Sequence, residues 1–183
     1  MTRKNGISTI LWIVLWIAWL VLPGCTGSSD ARALFTRPEL YTYERHAVFG
    51  LDPEQEQIFM AAYVKTFSGR LITFVERSRL REVISEQDLL RGRLDERKRA
   101  RIQEILGVEA LIMCEYYASE DGRQKKLRVR IVDSATGAIG GSVLIDGSGD
   151  FESHARAAAE ALKADLLSGR SSRDTGVSRG NNL

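Results

Sequence analysis

The spacing of apolar residues changes character several times along the chain. Residues 7 to 22 are almost continuously apolar, and then Thr26 to about Arg45 are polar and weakly patterned, with Pro38 and scattered tyrosines. The second stretch predicts a tether over residues 25–45, whose roughly twenty residues reach at most about 70 Å. Residues 45–51 predict a short first strand. Asp52-Pro53-Glu54-Gln55 then opens a helix: the aspartate can cap, proline suits the first helical position and glutamine sits three residues after the cap. Ile58, Ala61, Ala62 and Lys65, with Phe59, Tyr63 and Phe67, form its expected buried face, and Ser68-Gly69 ends it.

Leu71 to Val75 is continuous, β-branched and aromatic, which predicts a fully buried strand. Ser78 is placed to cap a second helix carrying Leu80, Val83, Ile84 and Gln87 up to Gly92, and Asp95 to start a third with Ile102, Ile105 and Leu106 inward and Gly107 as its terminator. After Gly107 the period becomes two. Residues 109–117 predict a strand, Asp121-Gly122 a hairpin turn, and Leu127, Val129 and Ile131 alternate with charged Arg128 and Arg130 on a half-buried partner. Asp133 to Gly137 predicts a second turn and residues 138–146 another strand. Asp150 then caps a last helix whose Phe151, Ala155, Ala158, Ala159, Leu162 and Leu166 recur at helical spacing. Residues 169–183 lack periodicity and are expected to be a disordered tail. The order β-α-β-α-α-β-β-β-α predicts an α+β fold, a single mixed sheet with helices packed on it, over residues 46–168.

Composition looks different once the first 24 residues are set apart. The 183 residues are 44% hydrophobic with a net charge of +2, yet all three tryptophans (Trp12, Trp16, Trp19) lie in that opening stretch. Two of the 26 basic residues, Arg3 and Lys4, lie there too, so the other 159 residues carry 24 basic and 24 acidic side chains. A neutral body lacks the field that general nucleic-acid binding needs, so no nucleic-acid partner is expected.

The opening stretch has the order of a bacterial lipoprotein signal: positive charge, an apolar run, then Leu22-Pro23-Gly24-Cys25 followed by polar residues. Residues 1–24 are read as the signal peptide and Cys25 as the lipidation site, its thiol carrying a diacylglycerol and its freed amine a third chain. Each acyl chain adds roughly 0.8 kcal/mol per buried methylene, which holds a protein firmly on a membrane. A retained transmembrane anchor is the alternative. Thr26 after the cysteine resembles the outer-membrane sorting pattern, which places the domain on the periplasmic side. With Cys25 lipidated only Cys114 remains, so no intramolecular disulfide forms; Cys114 sits in an apolar run and is expected to be a buried structural thiol.

Little chemistry points to catalysis. His46 and His154 have no metal-ligand spacing around them and are read as surface residues, Glu54 and Glu56 as lying on a solvated helix face, and the glycines near 140 and 148 lack a Walker sequence. No nucleophile, base and orienter occur together, so neither an enzyme nor a cofactor beyond the lipid on Cys25 is expected. Glu76 and Arg77, with Arg79, stand at a strand-to-helix junction, where an ion pair fixing the sheet edge is the first expectation and a partner contact the second. The basic run Arg91, Arg93, Arg97, Lys98, Arg99 and Arg101 is interrupted by Asp95, Glu96 and Glu104. It reads as a solvated helical face, with an anion- or partner-binding surface as the alternative.

The series Phe74-Val75-Glu76-Arg77-Ser78-Arg79-Leu80, then Glu86-Gln87, then Ile105-Leu106-Gly107-Val108-Glu109-Ala110-Leu111-Ile112 resembles the CsgG-like periplasmic domain family. The Asp133-Ser134-Ala135-Thr136-Gly137 turn is similar to that family too, and the resemblance covers roughly residues 46 to 167. Its members include the curli secretion channel, the flagellar lipoprotein FlgO and the synthase activator LpoB, with a fold related to the amino-terminal domain of TolB. The resemblance implies a non-enzymatic outer-membrane lipoprotein that docks to another envelope protein or to copies of itself in an envelope machine. No pair of long alternating insertions for membrane strands is present, so channel activity is not expected. Two alternatives are an LpoB-like activator of a peptidoglycan synthase and a glycan- or small-ligand-binding domain.

Overall fold

The structure is a computed structural model that describes residues 29–92, 94–119 and 124–174, with side chains from 35 to 168. The leader, Cys25, Arg93, the Asp121-Gly122 turn and residues 175–183 lie outside the described residues. Twelve elements follow in order: strand β1 (Ser29–Thr36), a 3-10 helix (Pro38–Tyr41), β2 (Arg45–Phe49), helix α1 (Pro53–Thr66), β3 (Thr73–Phe74), α2 (Arg77–Arg81), α3 (Glu86–Arg91), α4 (Glu96–Leu106), β4 (Ala110–Ala118), β5 (Lys125–Asp133), β6 (Ile139–Gly147) and α5 (Phe151–Asp174).

One mixed sheet orders the strands β1-β6-β5-β4-β2-β3. The meander β4-β5-β6 is antiparallel throughout, while β2 runs parallel to both β4 and β3. The α+β single-sheet architecture expected from the sequence is therefore present. Its outer edge is not the one predicted. From Ser29 the expected tether instead pairs antiparallel with β6, Ser29 opposite Gly147 and Thr36 opposite Gly141. The short, polar look of this segment concealed it, because a strand recruited by an edge takes its hydrogen bonds from the neighbour and needs little apolar signal of its own.

Each sheet face carries its own core. On one side α1 and α5 cover Val48, Ile112, Val129, Ile131, Val143 and Ile145 with Phe59, Tyr63, Ala155, Ala158 and Leu162. On the other, α2, α3 and α4 cover Ala47, Phe49, Leu111 and Met113 with Leu80, Leu89, Ile102 and Leu106. Burying a leucine or isoleucine of this kind contributes roughly 1.5–3 kcal/mol each. Across the same face of β5 the outward residues are polar: Glu115 of β4 accepts from Arg128 at 3.2 Å and Arg130 at 3.1 Å, and Lys126 pairs with Asp146 at 3.1 Å.

Helix ends follow local chemistry. Asp52 accepts from the Glu54 and Gln55 amides, Asp95 from Lys98 N at 2.8 Å, and Asp150 from Ser153 N at 2.8 Å. Gly92 and Gly107 end their helices in the left-handed region, at φ of 58° and 63°. Ser85, not Ser78, caps a helix, because the predicted second helix breaks into α2 and α3 at residues 82–85. The predicted buried strand 71–75 shrinks to Thr73–Phe74 at the sheet edge, with Leu71 69% exposed. Ile105 is likewise exposed, and α5 runs on to Asp174, past the expected start of the tail.

One crossing is unusually tight. Gly50, at φ 86°, donates its amide to Leu89 O at 2.6 Å, and a β-carbon on it would lie 1.9 Å from the Cys114 carbonyl oxygen. A β-carbon on Gly92 would meet the Gly50 Cα at 3.1 Å. The chain leaves β2 through a gap that only hydrogen atoms fit.

Candidate functional site

Helix α1 starts at the Asp52 cap, and its residues 56, 59 and 63, with Phe67 just past its end, face the sheet; Ala61 and Lys65, expected inward, are exposed. Glu56 thus enters the core face at 4% exposure, correcting its placement on a solvated face. It is met there by Arg77, the first residue of α2, which donates through Nη1 to Glu56 and to Leu51 O at 3.2 Å. The other edge of the guanidinium donates to Glu86 of α3 through Nε at 3.0 Å and Nη2 at 2.5 Å, and Arg81 adds a bond to the same carboxylate at 2.6 Å.

Arg77 therefore joins α1, α2 and α3. Burial pushes the Glu56 carboxyl above its usual range, against the pull of Arg77. Burial also opposes the charge on Arg77, but Glu86 and Glu56 outweigh it and hold the guanidinium more firmly protonated. The hydrogen bond from Arg77 keeps Glu86 below its usual range. Such a group sets geometry: the fork of one arginine fixes three helix starts. Its neighbours are placed differently. Glu76 is exposed and accepts from Ser78 Oγ at 3.2 Å, and Arg79 pairs on the surface with Glu82 at 3.0 Å.

The basic run is divided by α4. Arg91, Arg97 and Arg101 are exposed. Lys98 pairs with Asp88 of α3 at 2.8 Å, which lowers the aspartate's affinity for protons and raises that of the lysine. Arg99 lies over the turn after β5, close enough to Gly137 that a β-carbon there would collide with Nη1. The turn itself is tied by Asp133, which accepts from Thr136 N at 2.7 Å and from Tyr43 Oη at 2.8 Å. Burial first and Asp133 second push the Tyr43 phenol up to about 12.

Both histidines are buried rather than on the surface. His46 is 1% exposed on β2 between the rings of Tyr63 and Phe74, and His154 is 0% exposed on α5 beside Tyr116. Their positions were legible: His46 opens the apolar run Ala47-Val48-Phe49, and His154, Ala158, Leu162 and Leu166 repeat every four residues. Burial depresses both, His46 to about 4. Cys114 is fully buried, and burial pushes its thiol well above the ordinary range.

A groove of about 770 Å³ runs between α1 and α5, its floor formed by Ile58, Ala61, Ala62, Ala164 and Leu167. Lys163 on its wall donates to Thr66 O at 2.7 Å and so closes the end of α1. Among the described residues no group of three or more His, Cys, Asp or Glu is placed to hold a metal ion, and no helix is long and apolar enough to cross a membrane.

Residues 58–126 match the family model described as curli production assembly/transport component CsgG. Structural comparison gives the PelC dodecamer from Paraburkholderia phytofirmans at 11% identity and a TM-score of 0.44, covering 76% of this chain and 97% of that one. It also gives lipoprotein GNA1162 from Neisseria meningitidis at 16% identity and a TM-score of 0.37, covering 73% and 99% respectively. No curated protein matches the sequence. From the middle of α1 through β4 to the start of β5, this chain is similar to that CsgG family.

Proposed function

We propose that the protein is a non-enzymatic lipoprotein of the outer membrane, whose domain faces the periplasm and serves as an assembly or interaction component of a cell-envelope machine. The family match over residues 58–126 carries this reading, since that family is described as an assembly and transport component. The leader and Cys25 support it from a separate part of the sequence. The lipid confines the domain to a surface, which raises its effective concentration toward any partner in the same layer, so a modest interface suffices.

The partner is another envelope protein or a second copy of this chain. The surfaces offered to it are the exposed residues of α4, Arg97 and Arg101, and the groove between α1 and α5. Photo-crosslinkers at Arg97, Arg101 and Ala61 in intact cells, followed by mass spectrometry, test this. The expected product is one discrete envelope-protein or self-crosslinked adduct, lost when Cys25→Ser releases the protein from the membrane. Adducts with glycan alone would refute it.

A further inference from the structure

Cys25 stands four positions before Ser29, where β1 begins. Fully extended, that link spans at most about 14 Å. In the sheet, Ser29 is opposite Gly147, Gly147 opposite Lys125, and Lys125 opposite Ala118. One row thus gathers the start of β1, the end of β6, the start of β5 and the end of β4, and α5 begins at Phe151 just beyond it. The opposite end of the same strands holds Asp133 and Ile139. The nine residues of β5 separate the two ends by about 26 Å, given a strand's rise per residue.

We propose that the Ser29, Gly147, Lys125 and Ala118 end of the sheet lies against the bilayer surface, with the Asp133–Gly137 turn pointing away from it. This rests on the acylation of Cys25. Chain length fixes the occupant: acyl chains on Cys25 are in the membrane, and a link of four residues keeps Ser29, at one end of the row, within about 14 Å of it. The far end, with Arg99 against Gly137, is then what the protein presents to a soluble partner.

Among the described residues, basic and acidic side chains are mixed at this end. Lys126 is paired with Asp146, and exposed Lys125 is accompanied by Asp150 and Glu152 at the start of α5. Tyr117, 37% exposed one residue before the end of β4 and with Arg128 over its ring at 5.9 Å, is the kind of aromatic with a polar tip that suits a lipid headgroup layer.

The chain after Gly24 contains no tryptophan, so an introduced one reports alone. The processed, full-length protein would be reconstituted into phosphatidylcholine–phosphatidylglycerol vesicles with a nitroxide on the headgroup, as Tyr117→Trp and separately as Ile139→Trp. Both positions are 37% exposed. Lys125→Trp replaces the first if it does not fold. Several-fold stronger quenching at residue 117 (or 125) than at 139, in low and high salt alike, is the expected result. Equal quenching, or more at residue 139, on a sample whose intact mass shows the acylated cysteine, overturns the orientation and leaves the lipoprotein reading standing. A difference abolished by salt also overturns it, since charge and not chain length would then hold the domain. An unmodified Cys25 overturns both.

Discussion

Replacing His46 with phenylalanine should remove much of this protein's sensitivity to mild acid. His46 is enclosed by Tyr63 at 5.8 Å and Phe74 at 5.7 Å between ring centroids, and neither ring nitrogen has a hydrogen-bond partner of normal geometry. Burial dominates its behaviour and lowers its pKa from 6.5 to about 4; the Glu44 backbone and Glu109 pull the other way, and Arg70 adds to the depression. A histidine whose folded-state pKa is depressed leaves the unfolded chain free to take a proton that the folded chain refuses. Its contribution is therefore intact above about 6.5 and is lost as the pH falls toward 4. Integrated over those limits, the loss is about 2 kcal/mol between pH 7 and 5, and about 3 kcal/mol by pH 4. Urea unfolding at closely spaced pH values measures this directly. The wild type should lose that increment relative to His46→Phe, whose ring fits the same aromatic cage. His154 is common to both, so its own acid sensitivity cancels. At neutral pH the variant should be no less stable, because it removes two unpartnered buried nitrogens. Parallel curves for the two proteins from pH 7 to 5 would refute a buried neutral His46.

Arg77→Met should cost about 3–5 kcal/mol in thermal or urea unfolding, because it strands the Glu56 carboxylate in the core. Adding Glu56→Leu should recover most of that, a non-additivity that a surface pair would not show. Gly50→Ala forces a methyl into the Cys114 carbonyl and imposes a positive φ on alanine, so loss of soluble folded protein is expected by circular dichroism. Asp88→Asn, in contrast, removes the charge that pairs with Lys98 near the surface and weakens the Ser85 contact, and it should lower Tm far less than Arg77→Met does. Cys114 should resist a thiol reagent in the folded protein and react at once in denaturant; rapid reaction under native conditions would contradict its burial.

The parts of the fold that could be read from sequence are those where one periodic face meets one core. The α5 face and the alternating β5 residues declared themselves through spacing alone, and so did the caps at Asp52, Asp95 and Asp150, since a short acidic side chain before a helix has few other uses. Strand β1 did not, because its partner is a strand far along the chain. Glu56 was misplaced because polarity was weighed above spacing: the series 56, 59, 63, 67 is as regular as 58, 61, 62, 65, and Arg77 makes the inward choice tolerable. Arg77 itself was visible as a corner residue, but its reach to two acidic residues on separate helices depends on tertiary placement. Of the basic run, the sequence could not show that Lys98 pairs with Asp88 or that Arg99 packs against the Gly137 turn.

The pairing of β1 with β6 joins segments about a hundred residues apart. A chain delivered amino-terminus first presents β1 long before β6 exists to receive it, and loop closure over that distance is among the slower steps of folding. Until then β6 is an open edge, able to capture a strand from any neighbouring chain. The interval between completing the meander and seating its last strand is therefore when this protein is most exposed to swapping β1 with a second copy, a hazard that grows with local concentration.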